Sequence, residues 1–169
     1  MTKKTNIKDL LYWFAIFTVS GSMLVYGVSK PFQFESVEKI GNITKLSGQE
    51  IMWVFYGYSK SYPIIVGIFE IIGAISLLFN KTRILGCLIL TIILINVIIQ
   101  DYIYNVVALS SAIYYQILII LILLFDNKRL KNIITALFYT YDKSKTNILI
   151  ISIALIIAII LKFYETKLI

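Results

Sequence analysis

Five apolar runs, each bounded by short polar segments, divide the chain. The first covers residues 10–29. About 20 residues of helix extend ~30 Å, the thickness of a bilayer's hydrocarbon core. Lys30-Pro31 closes this run, because proline disfavours helix at the residue before it. The second run, 63–79, opens on Pro63, and proline suits a helix start. The third covers 84–100, the fourth 107–125, and the fifth and shortest 147–161, with Phe163 and Tyr164 as an interfacial anchor. Asn80-Lys81-Thr82-Arg83 makes a tight hairpin between the second and third runs, and residues 101–106 join the third to the fourth. The pattern predicts an all-α integral membrane protein. A four-helix transmembrane bundle fills residues 1–125, with a long first outer loop at 30–62, and a fifth span with a short tail fills 147–169.

Two intervening segments carry structure of their own. In the long loop, Ser47-Gly48-Gln49-Glu50 fits a capping box, with Ser47 as N-cap and Glu50 at the third helical position. The apolar and aromatic stretch that follows, 51–58, is too short to span and contains Trp53, Phe55, Tyr56 and Tyr58. It is either an aromatic-belt anchor or a lid over a cavity. Between the fourth and fifth runs, Leu130, Ile133, Ile134, Leu137 and Phe138 recur at helical spacing beside Lys128, Arg129 and Lys131. Residues 126–146 therefore read as a basic amphipathic helix on the cytoplasmic face, with a docking surface for a soluble partner as the sharper alternative.

Composition agrees with membrane burial. The 169 residues are 59% hydrophobic, with a mean hydropathy of +0.87, where soluble domains run at about 45–50% apolar. The net charge of +7 is not a nucleic-acid signal. Its basic residues lie between the apolar runs, where they set topology and meet anionic lipid head groups. The absence of histidine excludes histidine-ligated haem and zinc and histidine proton relays. The single cysteine, Cys87, excludes an intramolecular disulfide and a Cys-x-x-Cys redox pair. It reads as a small core residue. Lysine outnumbers arginine 14 to 2, a bias that suggests an AT-rich bacterial genome.

Charge also orients the spans. With a cytoplasmic N-terminus, ten basic residues fall inside: Lys3, Lys4 and Lys8, then Lys81 and Arg83, then five in the 126–146 linker. Six fall outside, four of them in the long loop. This favours the bacterial cytoplasmic membrane with the N-terminus inside and the C-terminus outside. The N-terminal run is too long for a secretory leader and lacks an A-x-A site, so it reads as a retained first span.

Glu70 stands out on this map. It lies in the second apolar run, where a carboxylate costs roughly 3 kcal/mol on insertion scales unless a partner or water compensates. Gly67 and Gly73 flank it at i−3 and i+3, so a neighbouring helix can approach on that face. Other polar residues collect at the same depth. Ser22, Tyr26 and Ser29 form a stripe ending at Lys30, Asn96 and Gln100 lie four apart, Asp101 follows at the rim, and the fourth span begins with Ser110, Ser111, Tyr114, Tyr115 and Gln116. The outer halves of the four core spans are polar, and the inner halves are nearly pure leucine, isoleucine and phenylalanine. This predicts an outward-opening polar cavity with Glu70, Lys30, Asn96, Gln100, Asp101, Tyr26 and Tyr114 as candidate ligand-binding residues. The alternative is polar helix glue, worth ~0.6 kcal/mol per hydrogen bond.

Several short motifs resemble those of the DoxX-like membrane protein family. Gly27-Val28-Ser29-Lys30 is similar to its closing of the first span, and Gly67-Ile68-Phe69-Glu70-Ile71-Ile72-Gly73-Ala74 to its G-x-x-E-x-x-G core. Thr82-Arg83 with Leu85-Gly86 resembles its entry to the third span. Asp101-Tyr102-Ile103-Tyr104-Asn105-Val106 and Phe125-Asp126-Asn127-Lys128-Arg129-Leu130 resemble two later stretches, except that Asn105 stands for an aspartate and Phe125 for a proline. The resemblance covers residues 10–135. It implies a four-helix membrane bundle and, because the family takes its name from a membrane subunit of a thiosulfate:quinone oxidoreductase, a quinone as possible cofactor, with nothing bound covalently. The function expected is an accessory subunit that binds a small amphipathic ligand, quinone or lipid. A quinone-linked oxidoreductase subunit, drawing electrons from a redox or membrane partner, and a small-solute transporter are the alternatives. The remaining partner is the lipid bilayer, and no nucleic acid is expected.

Overall fold

The computed structural model describes residues 6–34, 46–139 and 147–168, with side chains through Tyr164. Of the basic residues that orient the chain, Lys3, Lys4, Lys39, Lys45, Lys143, Lys145 and the side chain of Lys167 lie outside the described residues. The described residues form seven helices and no strand: α1 (Ile7–Gln33), α2 (Gly48–Gly57), α3 (Ser61–Leu78), α4 (Arg83–Ile103), α5 (Leu109–Phe125), α6 (Asn127–Leu137) and α7 (Ile148–Leu168). They fall into two units, residues 1–132 and 133–169, with the boundary inside α6.

In the first unit α1, α3, α4 and α5 close a ring in which each packs on two neighbours. Its core is Ile16, Val19, Met23, Leu77, Leu90 and Ile119, with the small residues Ala15, Ala74 and Cys87 between them. The outward faces are as apolar as the core. On α3, Ile64, Ile68, Phe69, Ile72 and Ile75 are exposed, while Gly67, Glu70, Gly73 and Ala74 are buried. A soluble helix places its large apolar residues inward. Here they point out and the small residues point in, the arrangement of helices that pack closely within lipid. The helices α1, α3 and α4 are each long and apolar enough to cross a membrane. The 17-residue α5 reaches that length only together with α6, from which it is bent by 84°. The protein is thus a multi-pass, helical membrane protein, with three such helices among the described residues, or four if the bent pair counts as one.

The C-terminal ends of α1 and α4 differ from the sequence expectation. α1 runs through Lys30-Pro31 to Gln33. Pro31 removes only the N–H that would bond the Gly27 carbonyl, and tertiary packing holds the last turn. α4 continues past Gln100 to Ile103, so Asp101 is helical and buried rather than at a rim. Two residues past the helix end, Asn105 adopts a left-handed φ of 53°, a conformation asparagine tolerates better than most residues. A Val106 N–H to Asp101 carbonyl bond closes that turn.

In the second unit α7 continues beyond the expected 147–161. Its apolar part, Ile148–Tyr164, is 17 residues, ~26 Å at helical rise, and all of its described side chains are exposed. α6, which straddles the two units, covers Asn127–Leu137 of the expected 126–146, and none of its residues is buried; the part of that expectation at 140–146 lies outside the described residues.

Candidate functional site

Two glycines set the site. A Cβ on Gly67 would lie 2.5 Å from the Gly27 carbonyl oxygen, and one on Gly27 would lie 2.7 Å from the Gly67 oxygen. Backbone therefore meets backbone where α1 crosses α3. The Gly27 carbonyl at this contact is the one Pro31 leaves without its helical N–H. One turn beyond, the stem of Lys30 crosses Gly67, where a Cβ would sit 3.0 Å from its Cβ and Cγ. The Lys30 ammonium comes to rest 3.3 Å from Glu70 Oε1. Both side chains are largely withdrawn from solvent, at 13% and 4% exposure.

The pair lies in the wall of a cavity of about 120 Å³. Met23 and Tyr26 of α1, Leu94, Gln100 and Asp101 of α4, and Ser111, Ala112 and Tyr115 of α5 complete the walls. α2 covers it with Met52, Trp53 and Tyr56. The cover is tied down at both levels. The Tyr56 hydroxyl donates to Gln100 Oε1 at 2.6 Å, and Phe34 stacks on Tyr56 with ring centroids 4.8 Å apart. Burial pushes the Tyr56 hydroxyl above its usual range, so it stays a donor at neutral pH. The helix that carries it begins at the expected capping box. Ser47 Oγ accepts from the Glu50 N–H at 3.3 Å, and Glu50 Oε2 accepts from the Ser47 N–H at 2.7 Å.

Two acceptors inside the lining have no hydrogen-bond partner among the described residues: Glu70 Oε2 and Asp101 Oδ2. Glu70 and Asp101 are 3% and 2% exposed. A buried acceptor left unmet costs about 1–3 kcal/mol, more when charged, so each of these oxygens calls for a donor from water or a bound group.

Of the seven residues named from sequence, Tyr26, Lys30, Glu70, Gln100 and Asp101 line the cavity. Asn96 and Tyr114 do not. The buried stripe of α4 runs through Cys87, Leu90, Leu94 and Asp101. Asn96, two residues from Leu94, is turned ~200° from that stripe at 100° per residue and is exposed. On α5 the inward phase belongs to Ala112 and Ile119, so Tyr115 reaches the cavity and Tyr114 faces out, 44% exposed. Trp53 and Tyr56 carry a signal that the capping box made readable. Tyr115 is found only once the phase of α5 is fixed.

A second polar cluster holds the opposite end of the ring, where the sequence shows almost pure apolar residues. Arg83, 3% exposed, donates from Nε to the Leu77 carbonyl at 2.9 Å and from Nη1 to the Tyr12 hydroxyl at 2.8 Å. The Tyr12 hydroxyl donates in turn to Asp126 Oδ2 at 2.6 Å. Arg129 donates to the carbonyl oxygens of Asn80 and Lys81 on the α3–α4 hairpin. Arg83, read from sequence as a topology-setting loop cation, is thus a buried clasp between three segments. Its donors are used within the protein, whereas Glu70 Oε2 and Asp101 Oδ2 in the cavity, and Gln116 Oε1 outside its lining, have no partner among the described residues.

The uncharacterized protein YwoB of Bacillus subtilis (strain 168) is similar to this chain, with 26% identity over 133 residues, covering 78% of this chain and 86% of YwoB. No family model matches the chain. No solved structure matches it.

Proposed function

We propose that the protein is an accessory subunit of a bacterial cytoplasmic membrane, with a DoxX-like bundle that binds a small amphipathic ligand, lipid or quinone, through its polar cavity. The observation that carries this reading is a buried Lys30–Glu70 pair in one cavity with Asp101 and Gln100, inside a ring whose outer faces are apolar. Ionisable groups at membrane depth are expensive and mark sites of function. The ligand's head enters the cavity and its tail lies along the exposed apolar faces of the bundle. The basic residues at 81, 83, 128, 129 and 131 favour an inward α3–α4 hairpin and an outward cavity.

Native mass spectrometry of the protein extracted in mild detergent tests this. The wild type retains an amphiphile close to one per chain, enriched over bulk lipid. Glu70→Gln, which preserves size, retains at least tenfold less per folded chain, with the folded fraction measured in the same detergent. A wild type with no enriched amphiphile, or a variant with the same occupancy, contradicts the proposal.

A further inference from the structure

The charges, size and ring content of the cavity point to one kind of head group. Three charged side chains line it, two carboxyls and one ammonium. Lys30 is paired with Glu70 Oε1. That leaves Glu70 Oε2 and Asp101 Oδ2 as buried acceptors with no donor among the described residues. Five aromatic side chains share the lining: Tyr26, Phe34, Trp53, Tyr56 and Tyr115. Ring faces attract cations, and aromatic cages are the chemistry that holds organic ammonium groups. An anionic head would meet the carboxyls instead. Size allows the ammonium, because a cavity of about 120 Å³ has room for a small alkylammonium head.

We infer that the cavity binds an alkylammonium group, held between Glu70 and Asp101 and enclosed by the aromatic side chains. The inference rests on the cavity being a ligand site and adds the chemistry of its ligand. The group comes either from an aminophospholipid head or from a free amine.

The test uses full-length Trp13→Phe protein, in which Trp53 is the one tryptophan left, reconstituted in phosphatidylglycerol bilayers. Ethylammonium and tetramethylammonium are titrated, with the neutral isosteres ethanol and tert-butanol as controls, and Trp53 emission is read. The ammonium probes give a saturable change, the isosteres none at equal concentration, and Asp101→Asn weakens binding at least tenfold. If phosphatidylethanolamine in the bilayer raises the apparent Kd for ethylammonium, the lipid head is the occupant. If it leaves that Kd unchanged, the free amine is. Equal responses to charged and neutral probes, or an Asp101→Asn protein that binds normally, overturn the inference. The cavity proposal then survives if a short-chain quinone still shifts Trp53, and falls with the inference if no probe does. Should Asp101→Asn fail to fold, the contrast between probe and isostere decides.

Discussion

Gly67 does two jobs with a missing side chain. It lets α3 meet the Gly27 carbonyl of α1, and it leaves room for the Lys30 stem to cross toward Glu70. A methyl group there would sit 2.5 Å from a backbone oxygen, which cannot swing aside, so the helices must part. Overpacking of this kind costs roughly 1–3 kcal/mol. Gly67→Ala is therefore expected to lower the thermal midpoint in detergent and to separate Lys30 from Glu70. Gly21 is the internal control, because a Cβ there meets nothing within 4 Å. Gly21→Ala is expected to hold or raise the midpoint, since alanine gains ~0.5–1 kcal/mol over glycine in a helix. Differential scanning fluorimetry of the two variants checks this, and equal effects would contradict the packing argument. The depth of Glu70, its flanking glycines and the nearness of Lys30 are all readable from sequence. The phase of a neighbouring helix is not. Asn96 and Gln100 are four apart, yet the inward stripe ends on Asp101, so Gln100 reaches the cavity and Asn96 faces out.

At the scale of the element, α2 carries the cover of the cavity. It is 10 residues long and rests on α3, with Met52 and Tyr56 as its buried residues. Its start depends on Ser47, and loss of a serine cap costs about 1 kcal/mol. Ser47→Ala is expected to speed amide exchange across residues 50–57 about fivefold, measured by hydrogen–deuterium exchange, with α3 and α4 unaffected. The capping box also has a pH signature. The Ser47 hydrogen bonds hold the exposed Glu50 carboxyl below the usual carboxylate range. Its contribution is therefore fully present above the ordinary glutamate value and is lost as pH falls through the lowered one. Protection of the α2 amides, taken relative to the intrinsic exchange rate at each pH, should fall at acid pH in the wild type and change less in Ser47→Ala. The capping box and the apolar, aromatic character of 51–58 predict this helix from sequence. Its position over the cavity depends on the Tyr56–Gln100 bond, 44 residues apart in the chain. The run through Pro31 was hidden for a similar reason, since local propensity reports the missing N–H and not the α3 backbone beside it.

The whole molecule places one polar cluster at each end of the ring, and the two differ in kind. At the hairpin end, Arg83 spends its donors on Leu77, Leu78, Tyr12 and Asn80, and Tyr12 binds Asp126. That cluster is closed and holds segments together. It escapes the sequence because Tyr12 and Asp126 are 114 residues apart, and an arginine at a helix start reads as a topology signal. At the other end two carboxyl oxygens remain unmet. The central claim is that this second cluster serves a ligand and not helix association. Removing Glu70 alone would strand the Lys30 ammonium, at a cost of about 3–5 kcal/mol whichever claim holds. Removing both partners separates them, because replacing a buried ion pair with apolar side chains is often neutral or stabilising. The direct measurement is the thermal midpoint of Lys30→Met/Glu70→Leu in detergent, read with amphiphile retention by native mass spectrometry. The account predicts a midpoint equal to or above wild type, with retention at least tenfold lower. A midpoint well below wild type, with retention reduced only in proportion to the unfolded fraction, would make the pair structural glue and contradict the site.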